Sequence, residues 1–366
     1  MKSNIFVKQL KDLVKIQSLA GNPQGNKEII DYIESILPKD SKVIKTQKNG
    51  IYTLIAGNNN LKRPDIAYLA HADVVSANDS QFNLKINGDK LIGRGVSDMK
   101  FAIPIGVALL EKVINEKIDT NFVLVITTDE EIGGANGIQL LASKNEFKPK
   151  MVIVPDWGDN FVFTNKSKGV AMIQIDSAGK KAHASEIWNG KDANRSLCEL
   201  ATKLLQRYGK NNIERTWETT MNIGVIQGGI ASNQVCDSAF MKLDFRFPET
   251  RTAKEILLEV KKVAKEIDPK LNTRLMVSAS PTTTDTNSPI ASSFIKEFEK
   301  VLGKKIKIEG GTGATDARHF AKNKIPLLVI KPAGGGVHGP DEWISLSSCL
   351  NYYGAISSFI DRYTIK

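Results

Sequence analysis

Phe122-Val123-Leu124-Val125-Ile126-Thr127-Thr128-Asp129-Glu130-Glu131-Ile132-Gly133-Gly134 is the stretch whose reading decides the fold. Its first five residues are an apolar run of strand length, rich in β-branched side chains, and predict a strand buried on both faces. Two adjacent carboxylates follow at the exit of that strand. Side by side they repel each other and lose solvation unless something positive sits close by. A solvated acidic turn ahead of a helix is the plainer use of such a pair. The position speaks for chemistry, because open α/β sheets carry their sites just beyond strand C-termini.

The same grammar extends in both directions. Asp65–Ala70 reads as another buried strand and delivers His71-Ala72-Asp73 at its end, while Met151–Val154 ends in Pro155-Asp156. Apolar stripes at helical spacing run from Ile5 to Ile16 and from Asn26 to Pro38. They recur over 101–117, 135–143 and 289–302, with a last helix closing the chain. Short strands are expected at 41–46, 51–56 and 326–330. This alternation predicts an α/β fold, a mostly parallel sheet covered by helices. Near Lys168 the pattern changes. Strand 169–177, helix 193–208, strands 220–226 and 240–247, helix 253–267 and strand 274–280 give the β-α-β-β-α-β order of a ferredoxin-like α+β unit. The expected organisation is a discontinuous catalytic domain, 1–167 and 282–366, with an inserted domain over 168–281. A chain of 366 residues suits two domains.

Bulk properties exclude several classes of function. The formal net charge is +10, yet the lysines are scattered singly or in pairs such as Lys180-Lys181 and Lys261-Lys262. Without a long basic run or interleaved aromatics, nucleic-acid binding is not expected. Carboxylate substrates, or simply a lysine-rich proteome, account for the charge equally well. No stretch approaches the roughly 18 uninterrupted apolar residues of a membrane span. The N-terminal residues are broken by lysines too often for a signal-peptide core. Three widely spaced cysteines, Cys198, Cys236 and Cys349, argue against a disulfide framework and fit a reducing cytoplasm.

The strand ends gather His71, Asp73, Asp98, Glu130, Glu131 and Asp156, and His338 follows in Gly336-Val337-His338-Gly339-Pro340-Asp341-Glu342. Histidines with several carboxylates and no cysteine suit zinc, cobalt or manganese in a mixed nitrogen and oxygen site. Taken alone, His71 is more often a structural histidine than a ligand. Taken together, so many ionisable groups on one sheet edge need cations.

The motifs in order are His-Ala-Asp-Val-Val at 71–75, Gly-Arg-Gly-Val-Ser-Asp-Met-Lys at 93–100, Thr-Asp-Glu-Glu-Ile-Gly-Gly at 128–134 and His-Gly-Pro-Asp-Glu at 338–342. In these the chain resembles, over essentially its full length, the dinuclear zinc family of aminoacylases, carboxypeptidase G, succinyl-diaminopimelate desuccinylase, acetylornithine deacetylase and the di- and tripeptidases. The resemblance implies two divalent metal ions, zinc with cobalt or manganese as alternatives. His71 and Asp156 would hold one ion, Glu131 and His338 the other, and Asp98 would bridge them. Asp73 would orient His71, Glu130 would be the general base, and the Asp98–Met99 peptide would be cis. The inserted domain would serve as lid and dimerisation domain, with His183 donating to the oxyanion across a homodimer. An exposed loop histidine is the alternative for His183.

Substrate carboxylate binding falls by the same resemblance to Asn233, Arg246 and the loop with Gly313 and Thr315. Arg246 also reads simply as a strand surface charge. His319 matches no ligand role and is expected on a helix surface. Phe101 stands where the family commonly has glycine, and Cys236 where it usually has proline. Aspartate at 156 resembles the family's di- and tripeptidases, whereas its deacylases and carboxypeptidases usually carry glutamate. The expectation is therefore a cytoplasmic metal-dependent amide hydrolase of small peptides. An N-acyl amino acid deacylase is the first alternative, and a metal-free binding protein on the same fold is an alternative of another class.

Overall fold

The computed structural model describes residues 1–143 and 146–363. Backbone contacts divide the chain into two units. The first comprises Met1–Lys166, Thr283–Gly311 and the chain from Thr315 onward, and the second comprises Ser167–Thr282 with Thr312–Ala314.

The first unit is built on a mixed sheet. Its strands run in the order Lys42–Lys48, Ile51–Gly57, Phe122–Thr127, Ile66–His71, Met151–Val154, Leu327–Val329 and Phe163–Ser167. The four from Phe122–Thr127 to Leu327–Val329 are parallel to one another, and antiparallel strands flank them. Every residue of Phe122–Thr127 is buried, as the unbroken apolar run requires. Alternation along the strand sends Leu124 and Ile126 into one core with Tyr68, Met151, Ile153, Phe294 and Phe359. It sends Val123 and Val125 into a second core with Leu69, Val152, Phe320 and Val329. Both faces are therefore covered, which fixes the strand ends as the place where polar chemistry emerges.

Close packing of helix Ala102–Asn115 on this sheet depends on Gly106, where a Cβ would lie 2.6 Å from Leu124 Cδ1 and 3.1 Å from Tyr68 Cδ1. Phe101 fills the core completely and packs edge-on against Tyr352 at 6.3 Å. The buried Lys100 donates from Nζ to the carbonyls of Leu13 and Ile16, each at 2.9 Å. It thereby gives a second donor to two carbonyls at the end of helix Ser3–Lys15 that already accept the Ile16 and Ser18 amides. Burial pushes its ammonium down to about 7.

The segment Ser76–Lys90, which shows no regular pattern in sequence, contains part of a small sheet. Strands Lys85–Asn87, Lys90–Ile92, Trp343–Ser345 and Gly334–Gly335 pair antiparallel.

The second unit has a four-stranded antiparallel sheet in the order Thr220–Gly228, Ser238–Phe247, Gly169–Ala178, Asn272–Ala279. Helices Ala193–Tyr208 and Ala253–Ile267 bury Leu197, Leu200, Leu204, Ile256 and Val260 against Ile173, Ile175, Leu243 and Phe245. The element order is β-α-β-β-α-β. Among the described residues no helix is long and apolar enough to cross a membrane.

Candidate metal centre

His71 closes strand Ile66–His71, and its side chain is 1% exposed. Its Nδ1 lies 3.0 Å from the Asp73 carbonyl, which only accepts, so Nδ1 carries a proton. Nε2 then points at Asp98 Oδ1, 3.0 Å away. A neutral ring in that tautomer would turn a lone pair on a carboxylate, so the contact asks for a shared cation or a second proton. The other oxygen of Asp98, Oδ2, lies 3.2 Å from His338 Nε2, and the same nitrogen lies 3.2 Å from Glu131 Oε2. One carboxylate thus faces a different imidazole with each of its oxygens.

Two groups of donor atoms result. One atom each from His71, Asp98 and Asp156 lie within 4.8 Å of one another, and so do one each from Asp98, Glu131 and His338. These are the groupings that the resemblance implies for two ions. The donor set itself fits a divalent cation, with imidazole nitrogens and carboxylate oxygens converging from strand ends. The charge balance points the same way. Burial pushes the Asp156 carboxyl well up, with Asp98 and Glu130 adding to it. Burial and neighbouring carboxylates likewise push Glu131 up to about 7, against the pull of His71 and His338. Burial alone would lower His71, but hydrogen bonds to Asp73 and Asp98 outweigh it and hold the imidazole well above its usual range. The hydrogen bond to Asp98 is the main cause that lifts His338 to about 9. Protons are favoured on these four groups, while the hydrogen bonds from His338 and His71 hold Asp98 below its ordinary value against its burial.

The two adjacent glutamates point to different partners. Glu131 faces His338, whereas Glu130 Oε1 accepts from Arg318 Nη1 at 2.8 Å, with the arginine side chain 9% exposed. Asp73 reaches further than the His71 ring. Its carboxylate accepts from the Glu130 amide at 3.2 Å and the Glu131 amide at 3.1 Å, and lies 3.5 Å from the His71 ring. It sets the backbone of the acidic turn, while its own carbonyl orients the imidazole. The Asp98–Met99 peptide is cis, as the resemblance implies.

Charge partners that sequence reasoning missed surround the cluster. Lys331 Nζ, at the exit of strand Leu327–Val329, sits 3.0 Å from Asp159 and 3.4 Å from the Ser97 carbonyl. Arg318 lies 3.8 Å from the buried Asp316. The signal available was a lysine directly after an apolar strand, in Leu327-Leu328-Val329-Ile330-Lys331, and the dense polar run Asp316-Ala317-Arg318-His319. His319 corrects an expectation. It is not on a helix surface, its side chain being 11% exposed, and burial pushes its imidazole down to about 3. The 3₁₀ segment Asp316–Asn323 turns it inward, where it lies 3.8 Å from Asp316.

His183, Asn233, Arg246 and Gly313 belong to the second unit, and Thr315 to the first. Within the second unit, residues 182–184 pair with 233–235 through Ala184 N to Asn233 O and Val235 N to Ala182 O, each at 2.9 Å. This sets the exposed His183 opposite Gln234, with the exposed Asn233 next along the chain. His183 Nδ1 accepts the Ser185 amide at 3.2 Å, which leaves Nε2 to carry the proton of the neutral ring. Arg246 is held in a two-point ion pair by Asp244, at 2.8 and 2.9 Å. Thr315 Oγ1 accepts the Ala317 amide at 3.3 Å, as an N-cap.

A histidine and carboxylate cluster at the C-terminal edge of a largely parallel sheet makes a candidate metal centre. The chain belongs to peptidase family M20/M25/M40, whose model matches residues 67–362. It is thus a metal-dependent hydrolase acting on amide or peptide bonds, as members of this family are. A succinyl-diaminopimelate desuccinylase from Marinobacter nauticus is 22% identical, with 91% of this chain and 92% of the relative covered. Among solved structures, an M20 family metallo-carboxypeptidase from Sulfolobus solfataricus shares the fold with a TM-score of 0.82 at 18% identity, covering 98% of this chain and 99% of its own. The aminopeptidase PepT from Bacillus cereus shares it with a TM-score of 0.79 at 16% identity, covering 99% and 98%.

Proposed function

We propose that the chain hydrolyses small peptides at a pair of divalent metal ions, zinc first, with cobalt or manganese as alternatives. The observation that carries this reading is Asp98, whose two carboxylate oxygens each face a different histidine. His71 and Asp156 would hold one ion, Glu131 and His338 the other, and Asp98 both. When bound, such ions acidify water and polarise a carbonyl oxygen as Lewis acids.

The chain's own residues supply the proton traffic. Arg318 holds Glu130 Oε1 and leaves Oε2 to take a proton from the attacking water and return it to the leaving amine. His183 Nε2–H donates to the oxyanion, supported by the tautomer that Ser185 imposes. It would do so from the second copy of a homodimer formed through the inserted domain. Strand Thr220–Gly228 supports that dimer: it is an edge of its sheet and, with the turn after it, exposes Val225 by 38%, Ile226 by 51% and Ile230 by 87%. Asn233, Arg246 and the loop of Gly313 and Thr315 receive the substrate carboxylate, a task that suits a guanidinium. Nucleic acid and membrane have no part in this reading. Three free cysteines support a cytoplasmic location.

Aspartate at 156 favours peptides over N-acyl amino acids. The deacylase reading stands second, because relatives are named succinyl-diaminopimelate desuccinylase and acetylornithine deacetylase. A screen of purified enzyme against dipeptides, tripeptides and N-acyl amino acids separates the two. Turnover of peptides, abolished by a chelator and restored by zinc, is the expected result. Turnover of acylated amino acids alone would reverse the order, and turnover indifferent to chelation would end the metal reading.

A further inference from the structure

Behind the metal centre lies a buried ion pair that none of the roles above uses. Arg94 is 3% exposed and Glu342 1%. Glu342 Oε2 accepts from Arg94 Nη1 at 2.7 Å and from the Gly95 amide at 2.9 Å. Its Oε1 accepts from the amides of Ser97 at 2.8 Å and Asp98 at 3.0 Å. Arg94 Nη2 donates onward to the carbonyls of His338 at 3.1 Å and Gly339 at 3.2 Å. The backbone of Glu342 closes the circuit, accepting the Gly93 amide at 3.0 Å. Two loops far apart in sequence, each carrying one proposed ligand, are thereby tied to a single charged pair.

The pair does for these loops what strand pairing does elsewhere. His71 sits on a strand with parallel neighbours on both sides, and Asp156 follows the end of one of them. His338 has no such support. Its φ is +63°, in the left-handed region that a residue with a Cβ rarely adopts, and its side chain is 51% exposed. Gly95 stands opposite with φ +79°, and a Cβ there would lie 2.6 Å from Val74 Cγ1. Burying an ion pair is seldom the most stabilising way to fill a core. Fixing two loop backbones at once is something an apolar pair cannot do.

We propose that Glu342 and Arg94 are positioning residues that hold Asp98 and His338 in register, and that they set the affinity for the ion between Asp98, Glu131 and His338. This rests on the two-ion reading. The ion between His71, Asp98 and Asp156 depends on them less, because His71 ends a strand and Asp156 follows two residues after another.

The test is a chelator-competition titration of cobalt into metal-stripped enzyme, read by the cobalt absorption spectrum, in wild type, Arg94→Lys and Glu342→Gln. Arg94→Lys keeps the charge but loses the fork that reaches Glu342 with one nitrogen and both carbonyls with the other. It should leave the first equivalent within about threefold of wild type and weaken the second by about 10–100-fold, as loss of a partner that orients a ligand does. Glu342→Gln should do the same and also weaken the first equivalent, to a smaller degree. Wild-type affinity for both equivalents in Arg94→Lys would overturn the proposal, as would equal loss of both. Circular dichroism and thermal melting check the fold. If neither variant folds, the pair is a stability element and the proposal fails. A wild type that binds fewer than two ions defeats the two-ion reading instead, which is a separate outcome.

Discussion

The two donor triads that share Asp98 are built in different ways. On one side, His71 and Asp156 come from the ends of paired parallel strands, and His71 is fully enclosed. On the other, Glu131 lies in the 3₁₀ turn Glu130–Ile132 and His338 in a loop, half exposed. Strand-borne ligands are placed by the sheet itself, whose hydrogen bonds form whether or not a metal binds. Loop-borne ligands need dedicated scaffolding, and each loop has it. The Asp73 carboxylate holds the amides of Glu130 and Glu131, and the Arg94–Glu342 pair holds the loops of Asp98 and His338. The difference teaches that one half of such a centre is a property of the fold and the other a property of a few buried charges.

Substitutions can break this comparison. The largest effect is expected at Glu130, which stands apart from both triads. Glu130→Ala should lower kcat by about 10²–10⁴-fold, the span of general acid–base catalysis, with the metal content unchanged. Metal loss, measured by elemental analysis, would mean that the adjacent glutamates exchange roles. His183→Ala should lower the rate by about 10²–10³-fold if it donates to the oxyanion. An unaltered rate would return it to an ordinary loop histidine. His338→Ala should leave one ion per chain and, compared in metal-stripped protein, lose less melting temperature than His71→Ala, since the side chain is half exposed. His71→Ala should also cost melting temperature, because it empties a buried position. Equal thermal shifts in the two variants would contradict the contrast drawn between the triads.

The smallest effect is a pH dependence in metal-stripped protein. Glu131 is raised from its ordinary 4.5 to about 7, and His338 from 6.5 to about 9. Both bind protons more tightly folded than unfolded, so both stabilise the fold at low pH and lose that contribution as pH rises. Asp98 is lowered, and its contribution is complete above its ordinary 3.8, so it does not oppose the trend in this window. The buried His319 and Lys100, whose imidazole and ammonium are lowered to about 3 and about 7, pull the other way as pH rises, so the effect of Glu131 and His338 is read as a difference. Between about pH 4.5 and 9 the stripped wild type should lose more melting temperature than a stripped Glu131→Gln, His338→Ala double variant, and a double variant with the same pH profile as wild type would contradict these shifts.

Much of this was legible in the sequence, for physical reasons. Phe122–Thr127 and Ile66–His71 are buried on both faces and therefore read as unbroken apolar runs, with donors at their ends. The second unit reads through its alternating strands and amphipathic helices. The small sheet of Lys85–Asn87, Lys90–Ile92, Gly334–Gly335 and Trp343–Ser345 did not read, because strands of two or three residues leave no period to detect. The helix expected from 135 begins only at Ile138, since Asp129 Oδ2 holds the amides of Asn136 and Gly137 in a turn. Arg318, Lys331 and the Arg94–Glu342 pair were invisible as partners. Glu130 and Arg318 are 188 positions apart, and Arg94 and Glu342 are 248 apart, so only folding brings them together. His319 faces inward on the short 3₁₀ segment Asp316–Asn323, whose three-residue period does not follow the 3.6-residue spacing by which an α-helical face is read.

The most direct test of the central claim is to titrate zinc into metal-stripped enzyme and follow hydrolysis of a small peptide against ions bound per chain. No hydrolysis is expected without metal, and the rate should saturate at two ions per chain. Full hydrolysis in excess chelator, or saturation with a single ion, would contradict it.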